Sequence, residues 1–280
     1  MWYVGFMKND IVDVSDEVVL ASELAKEVYK EKEQTYYSFG HPTLDKAVSQ
    51  ISGGDFIALG GSAAGGKTAF CISLTKNLAK DNVPVLWFSI ELTPREFLKK
   101  FSDVPENIQT FYVPRKIKEP TMSWIESKID EAIEKFGVKI IFLDHIGMIV
   151  NERDLVQFKN GLEIFDERLK QLKNMAVQKN IAIVGIFPVT QETSKRGRKE
   201  PTYSDFRGSS MISHASDLIL FIERGVGIKN ALTLNEQLDW EGTYNDIRKA
   251  KLWILKCRRT GMMKANVAMY MDENGDFREE

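Results

Sequence analysis

The chain has 280 residues, 43% hydrophobic and 28% charged, enough for one large α/β domain with a well-filled core. A net charge of −2 and a pI near 6.1 exclude a protein held on nucleic acid by its overall field, so any such contact must come from a local cluster. Cys71 and Cys257 fit no metal-ligand spacing, no uncharged apolar run reaches the roughly 18 residues of a membrane span, and no basic-then-apolar leader is present, so a reduced, cytoplasmic protein is expected.

In chain order, Trp2-Tyr3-Val4 suits a short strand. Ser15 reads as an N-cap with Asp16 and Glu17 in the first turn, and Val18, Ala21, Leu24, Ala25 and Val28 recur at helical spacing towards Glu33. The apolar stripe belongs either on its own domain or on a neighbouring subunit. Residues 1–36 are therefore expected to be an N-terminal extension and 37–280 the main domain. Gly40-His41-Pro42 marks a turn before a short helix, Thr43 to Val48.

The apolar strand Phe56-Ile57-Ala58-Leu59 then runs into Gly60-Gly61-Ser62-Ala63-Ala64-Gly65-Gly66-Lys67-Thr68 and a helix from Thr68 to Leu78. Gly61, Gly66, Lys67 and Thr68 satisfy the G-x-x-x-x-G-K-[ST] pattern of a phosphate-binding loop. Glycines let the backbone curl so that N–H groups between Gly61 and Ala69 point at phosphate oxygens, assisted by the positive end of the helix dipole. Lys67 would bridge the β- and γ-phosphates and the Thr68 hydroxyl would ligate Mg²⁺. ATP, or another NTP, with Mg²⁺ is the expected cofactor pair. The plain alternative is a Gly-rich turn with a solvated lysine.

Val83 to Ser89 reads as a buried strand ending in Ile90-Glu91, and Thr93-Pro94 opens a helix. Ile108 to Val113 suits a third strand. Thr121 caps a helix that runs to Phe136 and stops at Gly137. Val138 to Leu143 is a strand running into Asp144, followed by a charged helix from Phe158 to Lys179 and a strand from Ile181 to Phe187. Strands apolar on both faces, alternating with helices, predict a mostly parallel sheet flanked by helices. Beyond Pro188, Thr193 to Glu200 is polar and basic. Leu218 to Ile222 is a strand, Gly225 to Arg248 reads as an extended insertion, and Leu252 to Cys257 with Ala265 to Met271 form a closing hairpin around Arg259-Thr260-Gly261.

Asp144, at a strand end, is the candidate second magnesium ligand, though such positions also supply ordinary Asp caps. Glu91 ends a neighbouring strand at the same carboxyl edge, where it would polarise a water, or merely start the next helix. Lys256 and Arg258, two apart, share one face of a strand. They suit either arginine-finger elements for a neighbour's γ-phosphate or a solvated edge strand. Lys195, Arg196, Arg198 and Lys199, with Arg207 nearby, suit either a nucleic-acid backbone or a solvated loop.

Together, GGSAAGGKTAF, FSIEL, IIFLDHIGMI, YSDFRGSSMISHASDLILFIER and ILKCRRTG resemble the RecA-type motor domain of DnaB-family replicative DNA helicases, nearest to phage primase-helicases and mitochondrial Twinkle. The resemblance runs from Phe39 to Met271. It implies a RecA-like P-loop NTPase core, a homo-oligomeric ring (usually a hexamer) with ATP at each junction, and single-stranded DNA in the channel. By motif it implies that Lys67 and Thr68 bind phosphate and Mg²⁺, that Asp144 holds the metal, and that Glu91 is the catalytic carboxylate. Lys256 and Arg258 match the K-x-R pair that enters the adjacent site. Arg207 and Gly208 match the DNA-facing loop, and Arg224 an arginine near the nucleotide base, with Tyr270 stacking there. Ser15 to Glu33 matches the inter-subunit linker helix. Primase and other replisome proteins are implied partners, in a bacterial or phage-infected cytoplasm. Two departures stand out: Pro188 replaces the family's Gln or His sensor, with Gln191 three residues on, and no N-terminal primase or primase-docking domain is expected. The alternatives are a RecA-like recombination or repair ATPase, and a helicase-like accessory subunit that binds nucleotide without unwinding.

Overall fold

The computed structural model describes residues 18–28, 34–101, 109–150, 161–190, 200–206, 208–224 and 248–280. The chain divides into two units, residues 1–34 and 35–280. In the first, helix α1 spans Ala21–Val28. Val18, expected to open its apolar stripe, precedes the helix and is exposed. The β-branched pair Val18-Val19 is a poor helix start, and Leu20 O takes the first bonds, from the Glu23 and Leu24 amides. Ser15 and Trp2-Tyr3-Val4 lie outside the described residues.

The second unit opens with a two-stranded antiparallel ribbon, β1 (Tyr36–Tyr37) and β2 (Ile51–Ser52), around α2 (Pro42–Val48). Strands β3 (Phe56–Gly61), β4 (Val85–Ser89), β5 (Phe111–Tyr112), β6 (Ile140–Asp144), β7 (Ala182–Ile186) and β8 (Leu218–Arg224) pair in parallel. β9 (Lys249–Cys257), β10 (Ala265–Met271) and β11 (Phe277–Glu279) continue the sheet antiparallel. The nine strands run in the order β5-β4-β6-β7-β3-β8-β9-β10-β11.

Alternation along the strands loads both faces with apolar side chains. One face carries Ile57, Leu59, Trp87 and Phe142 and packs on α2, α3 (Lys67–Lys80) and α4 (Pro94–Lys99) through Leu44, Leu74, Leu78 and Phe97. The other carries Phe56, Ala58, Phe88 and Leu143 and packs on α5 (Met122–Phe136), α6 (Gly161–Gln178) and α7 (Ser209–Ala215) through Ile129, Leu172 and Ile212. Trp87 is fully buried, and its indole N–H donates to Thr75 Oγ1 at 2.8 Å. That bond spares the core an unpaired donor.

The caps form as their residue types dictate. Thr93 and Glu96 close a capping box, Thr121 Oγ1 accepts from the Trp124 amide at 3.2 Å, and Gly137 adopts the left-handed conformation after α5. Among the described residues, the ribbon strands β1 and β2, α7 and β11, all short, were not anticipated from the sequence. β11 supplies a cap that its own strand cannot use: Glu279 accepts from the amides of Thr43 and Leu44, both at 3.1 Å, where His41 offers no side-chain cap. A carboxylate there also suits the helix dipole. The expected insertion, Gly225 to Arg248, lies outside the described residues except at Arg248.

Candidate active site

From the end of β3 through the loop that follows it, the chain is squeezed too tightly for side chains at several glycines. A Cβ on Gly60 would stand 2.4 Å from the Phe206 ring, one on Gly61 2.5 Å from Ile222 O, and one on Gly66 2.9 Å from the Phe277 ring. Gly66 also holds φ +96° as the residue before α3, a region glycine enters without strain. The loop therefore approaches its surroundings as bare backbone and leads into a helix N-terminus.

Lys67, the first residue of α3, turns its ammonium back over the loop and donates to Gly61 O and Ser62 O, both at 2.9 Å. Burial pulls its pKa down, and the carboxylates of Asp144 and Glu91 push back. Thr68 Oγ1 donates to Asp144 Oδ2 at 2.8 Å. Asp144 ends β6 and is 3% exposed. Burial raises its pKa, the Thr68 hydrogen bond opposes this, and the Glu91 charge raises it further. β4 and β6 pair Ser89 with Asp144, so Glu91 stands just past the same edge, and the Ile90 amide donates to Asp144 O at 2.8 Å.

These groups line a cavity of about 540 Å³ with Gly61, Ala63, Ala64, Gly65, Gly66 and Ala69 on one side and Arg224, Pro188 and Val189 on others. Ser62 takes part through its carbonyl, not the lining. Lys100 and His145 also line it, and neither was visible in the sequence. Lys100 caps the short α4, which folds it back towards Asp144, whose pKa its charge lowers. His145 follows Asp144 directly, and its Nδ1 is buried without a hydrogen-bond partner.

Tyr270 is not brought here. Ala250 pairs with both Arg224 and Met269, so Tyr270, one residue on, faces away from Arg224 across the sheet. It is 39% exposed. The expectation that it stacks at this cavity is corrected by strand parity.

Lys256 and Arg258 do not form a solvated edge strand, because β9 lies between β8 and β10 and ends at Cys257. Lys256 Nζ donates to Ser213 O at 2.6 Å and Ser216 O at 2.9 Å. The Arg258 guanidinium donates to His214 O and Asp217 Oδ1, both at 2.9 Å. Both cations thus converge on the carboxyl end of α7, away from their own chain's cavity. Burial and the Arg258 charge lower the Lys256 pKa, while Asp217 supplies the anion the pair requires.

Gln191, Lys195, Arg196, Arg198, Lys199 and Arg207 lie outside the described residues. The ends of that segment are fixed: Val189 bridges Phe206, and the Thr190 amide donates to Asp205 O at 2.9 Å. Gly208 precedes α7 at φ +81°, where a Cβ would meet the Phe165 ring at 2.6 Å.

Phosphates and Mg²⁺ fit this donor set. Loop amides and Lys67 supply hydrogen-bond donors, and the Thr68 hydroxyl stands against the Asp144 carboxylate. Among the described residues no three His, Cys, Asp or Glu side chains gather as a metal cage. A hydroxyl plus one carboxylate suits Mg²⁺, which fills its shell with phosphate oxygens and water.

The family model described as the DnaB-like helicase C-terminal domain matches residues 38–113 and 109–279. The chain is 26% identical over 227 residues to a probable plasmid replicative DNA helicase of Chlamydia psittaci, covering 70% of this chain and 49% of that protein. It is 24% identical over 258 residues to a probable replicative DNA helicase of Trieres chinensis, covering 81% and 56%. The chain thus spans about half the length of the curated relatives it matches. Among solved structures, the ATPase domain of G40P superposes with a TM-score of 0.73 at 17% identity, covering 92% of this chain and 96% of that one. A DnaB-like replicative helicase, described with its interactions with primase, gives 0.72 at 18% identity, covering 94% and 67%. The fold is that of these RecA-like ATPase domains.

Proposed function

Because the chain belongs to the DnaB-like helicase C-terminal domain family, we propose that it is the ATP-hydrolysing motor of a ring helicase, moving along single-stranded DNA. The observation that carries this reading is the Thr68–Asp144 hydrogen bond of 2.8 Å beside a glycine-rich loop, with Glu91 just past the adjacent strand end. That set suits Mg²⁺–nucleotide and a hydrolytic water.

Lys67 exchanges its loop carbonyls for phosphate oxygens, and the amides at the start of α3 receive the remaining negative charge. Thr68 and Asp144 would hold Mg²⁺, which when bound would neutralise charge developing on the phosphates. Glu91, exposed beside them, accepts a proton from the attacking water. Arg224 borders the same cavity and would contact the nucleotide from β8. Pro188 presents only a ring where the family carries a hydrogen-bonding sensor, so no polar group at this position reads the γ-phosphate. Lys256 and Arg258 act on the neighbouring subunit's site in a hexameric ring, α1 joins adjacent subunits, and the segment from Lys195 to Arg207 with Gly208 meets DNA. Primase or another replisome protein is the partner in view.

The test is a pair of variants. Lys67→Ala is expected to weaken nucleotide binding, since it removes a charge-assisted hydrogen bond to phosphate. Glu91→Gln is expected to bind nucleotide normally and to keep less than about a tenth of the ATPase rate, a loss above roughly 1.4 kcal/mol of barrier stabilisation. A Glu91→Gln protein that hydrolyses faster than this is incompatible with the proposed role.

A further inference from the structure

Arg258 is the more exposed member of the cation pair, with its side chain 52% accessible, yet both arms of its guanidinium are occupied. One arm donates to His214 O at the end of α7, and the other to Asp217 Oδ1. The Arg258 amide also donates to Asp217 O at 2.7 Å. Asp217 is in turn immobilised on its far oxygen. Oδ2 accepts from the Phe56 amide at 2.9 Å and from Lys173 Nζ at 2.5 Å. Its side chain is only 16% exposed. Phe56 opens β3, the strand that ends in the phosphate loop at Gly61.

We propose that Asp217 is a positioning residue for Arg258, a seat that aims the guanidinium towards the neighbouring subunit's nucleotide site. This rests on the reading of Arg258 as an element acting in trans. A flexible arginine loses several rotamer freedoms when it reaches a phosphate, and a seat that restricts it beforehand lowers that cost. A carboxylate locked by a backbone amide and a lysine is a rigid seat. Because it is fixed to the first residue of β3, the cation offered to the next subunit and the chain's own phosphate loop hang from one strand. The helix-end carbonyls of α7 complete the seat, and cations suit a helix carboxyl terminus.

The test separates the two subunits that share a junction. Arg258→Ala subunits keep a working phosphate loop, and Lys67→Ala subunits keep a working finger. Mixing them is expected to restore ATPase; if it restores none, the trans reading of Arg258 fails, and the seat with it. The finger donor is then changed to Lys67→Ala with Asp217→Asn. Its own site is already inactive, so any further loss arises at the neighbour. Asparagine still accepts from the Phe56 amide but lacks the charge that holds Arg258. Restored ATPase is expected to fall about tenfold, the scale of a misplaced catalytic group, with unchanged nucleotide KM and unchanged co-assembly by sedimentation. Restoration within twofold of the Lys67→Ala donor, or a loss explained by poorer co-assembly, overturns the proposal. If the Asn variant does not fold, Asp217→Glu keeps the charge, displaces it by one methylene, and is judged by the same criterion.

Discussion

Burial of Asp144 raises its carboxyl above the ordinary 3.8, the Thr68 hydrogen bond works against this, and the Glu91 charge works with it. A carboxyl with a raised folded pKa binds more protons folded than unfolded, so stability falls as pH rises through that interval. The cost is complete above the folded pKa and absent below 3.8. Asp144→Asn removes it. Without nucleotide, this variant is expected to melt at or above the wild-type temperature at neutral pH, and its advantage should vanish at about pH 2.5, well below 3.8, where the carboxyl is neutral in both states. Scanning calorimetry at both pH values decides it; a variant less stable at neutral pH would mean that the charge supports the fold. That Lys67, Thr68, Asp144 and Glu91 meet was legible because a local motif and strand ends place them. Lys100 and Asp217 were not, since what they meet is set by where α4 and β3 return in space. Tyr270 misled because the face a strand residue occupies depends on pairing register, which a motif does not carry.

Among the elements, the strands and helices of the parallel block were readable from period and caps, and they form close to where Thr93, Thr121 and Gly137 place them. The seven residues of α7, SSMISHA, are too few to show an apolar period, and the helix is held by Ile212 and Ala215 in the core together with cations on its carboxyl end. β11 is three residues long and depends on pairing with β10 and on Ser73 Oγ accepting the Phe277 amide at 2.8 Å, the serine being distant in sequence. α1 belongs to the separate N-terminal unit, where its Leu24 is 49% exposed and Leu20, just ahead of it, 65%. An amphipathic helix this short is marginal alone and needs a partner surface. Deleting residues 1–33 is expected to leave a folded domain of unchanged circular dichroism that no longer assembles into rings at micromolar concentration. Sedimentation velocity showing the same oligomer as the full chain would return α1 to a role within its own subunit.

For the whole molecule, the slightly acidic balance of −2 limits where the proposed DNA contact would arise. No diffuse positive field exists, so binding must come from a cluster, and Lys195, Arg196, Arg198 and Lys199 place four cations within five residues. What recommends this segment is where its ends are fixed. Pro188 and Val189 line the cavity that also holds Lys67 and Asp144, and Val189 bridges Phe206 just before Gly208 and α7. A strand of DNA pulling on the segment would load the cavity wall on one side and, through α7, the carbonyls that hold Lys256 and Arg258 on the other. Phosphate contacts are electrostatic and indifferent to base sequence, and each releases counterions. Replacing all four cations by Ala is expected to weaken binding to single-stranded oligonucleotides of any sequence. The slope of log affinity against log salt should shrink by roughly 0.7 for each phosphate that is no longer neutralised. Stimulation of ATPase by DNA should disappear with the binding. Fluorescence anisotropy across a salt series measures both affinity and slope. If neither changes, the cluster is a solvated loop, and the proposed helicase function loses its nucleic-acid half.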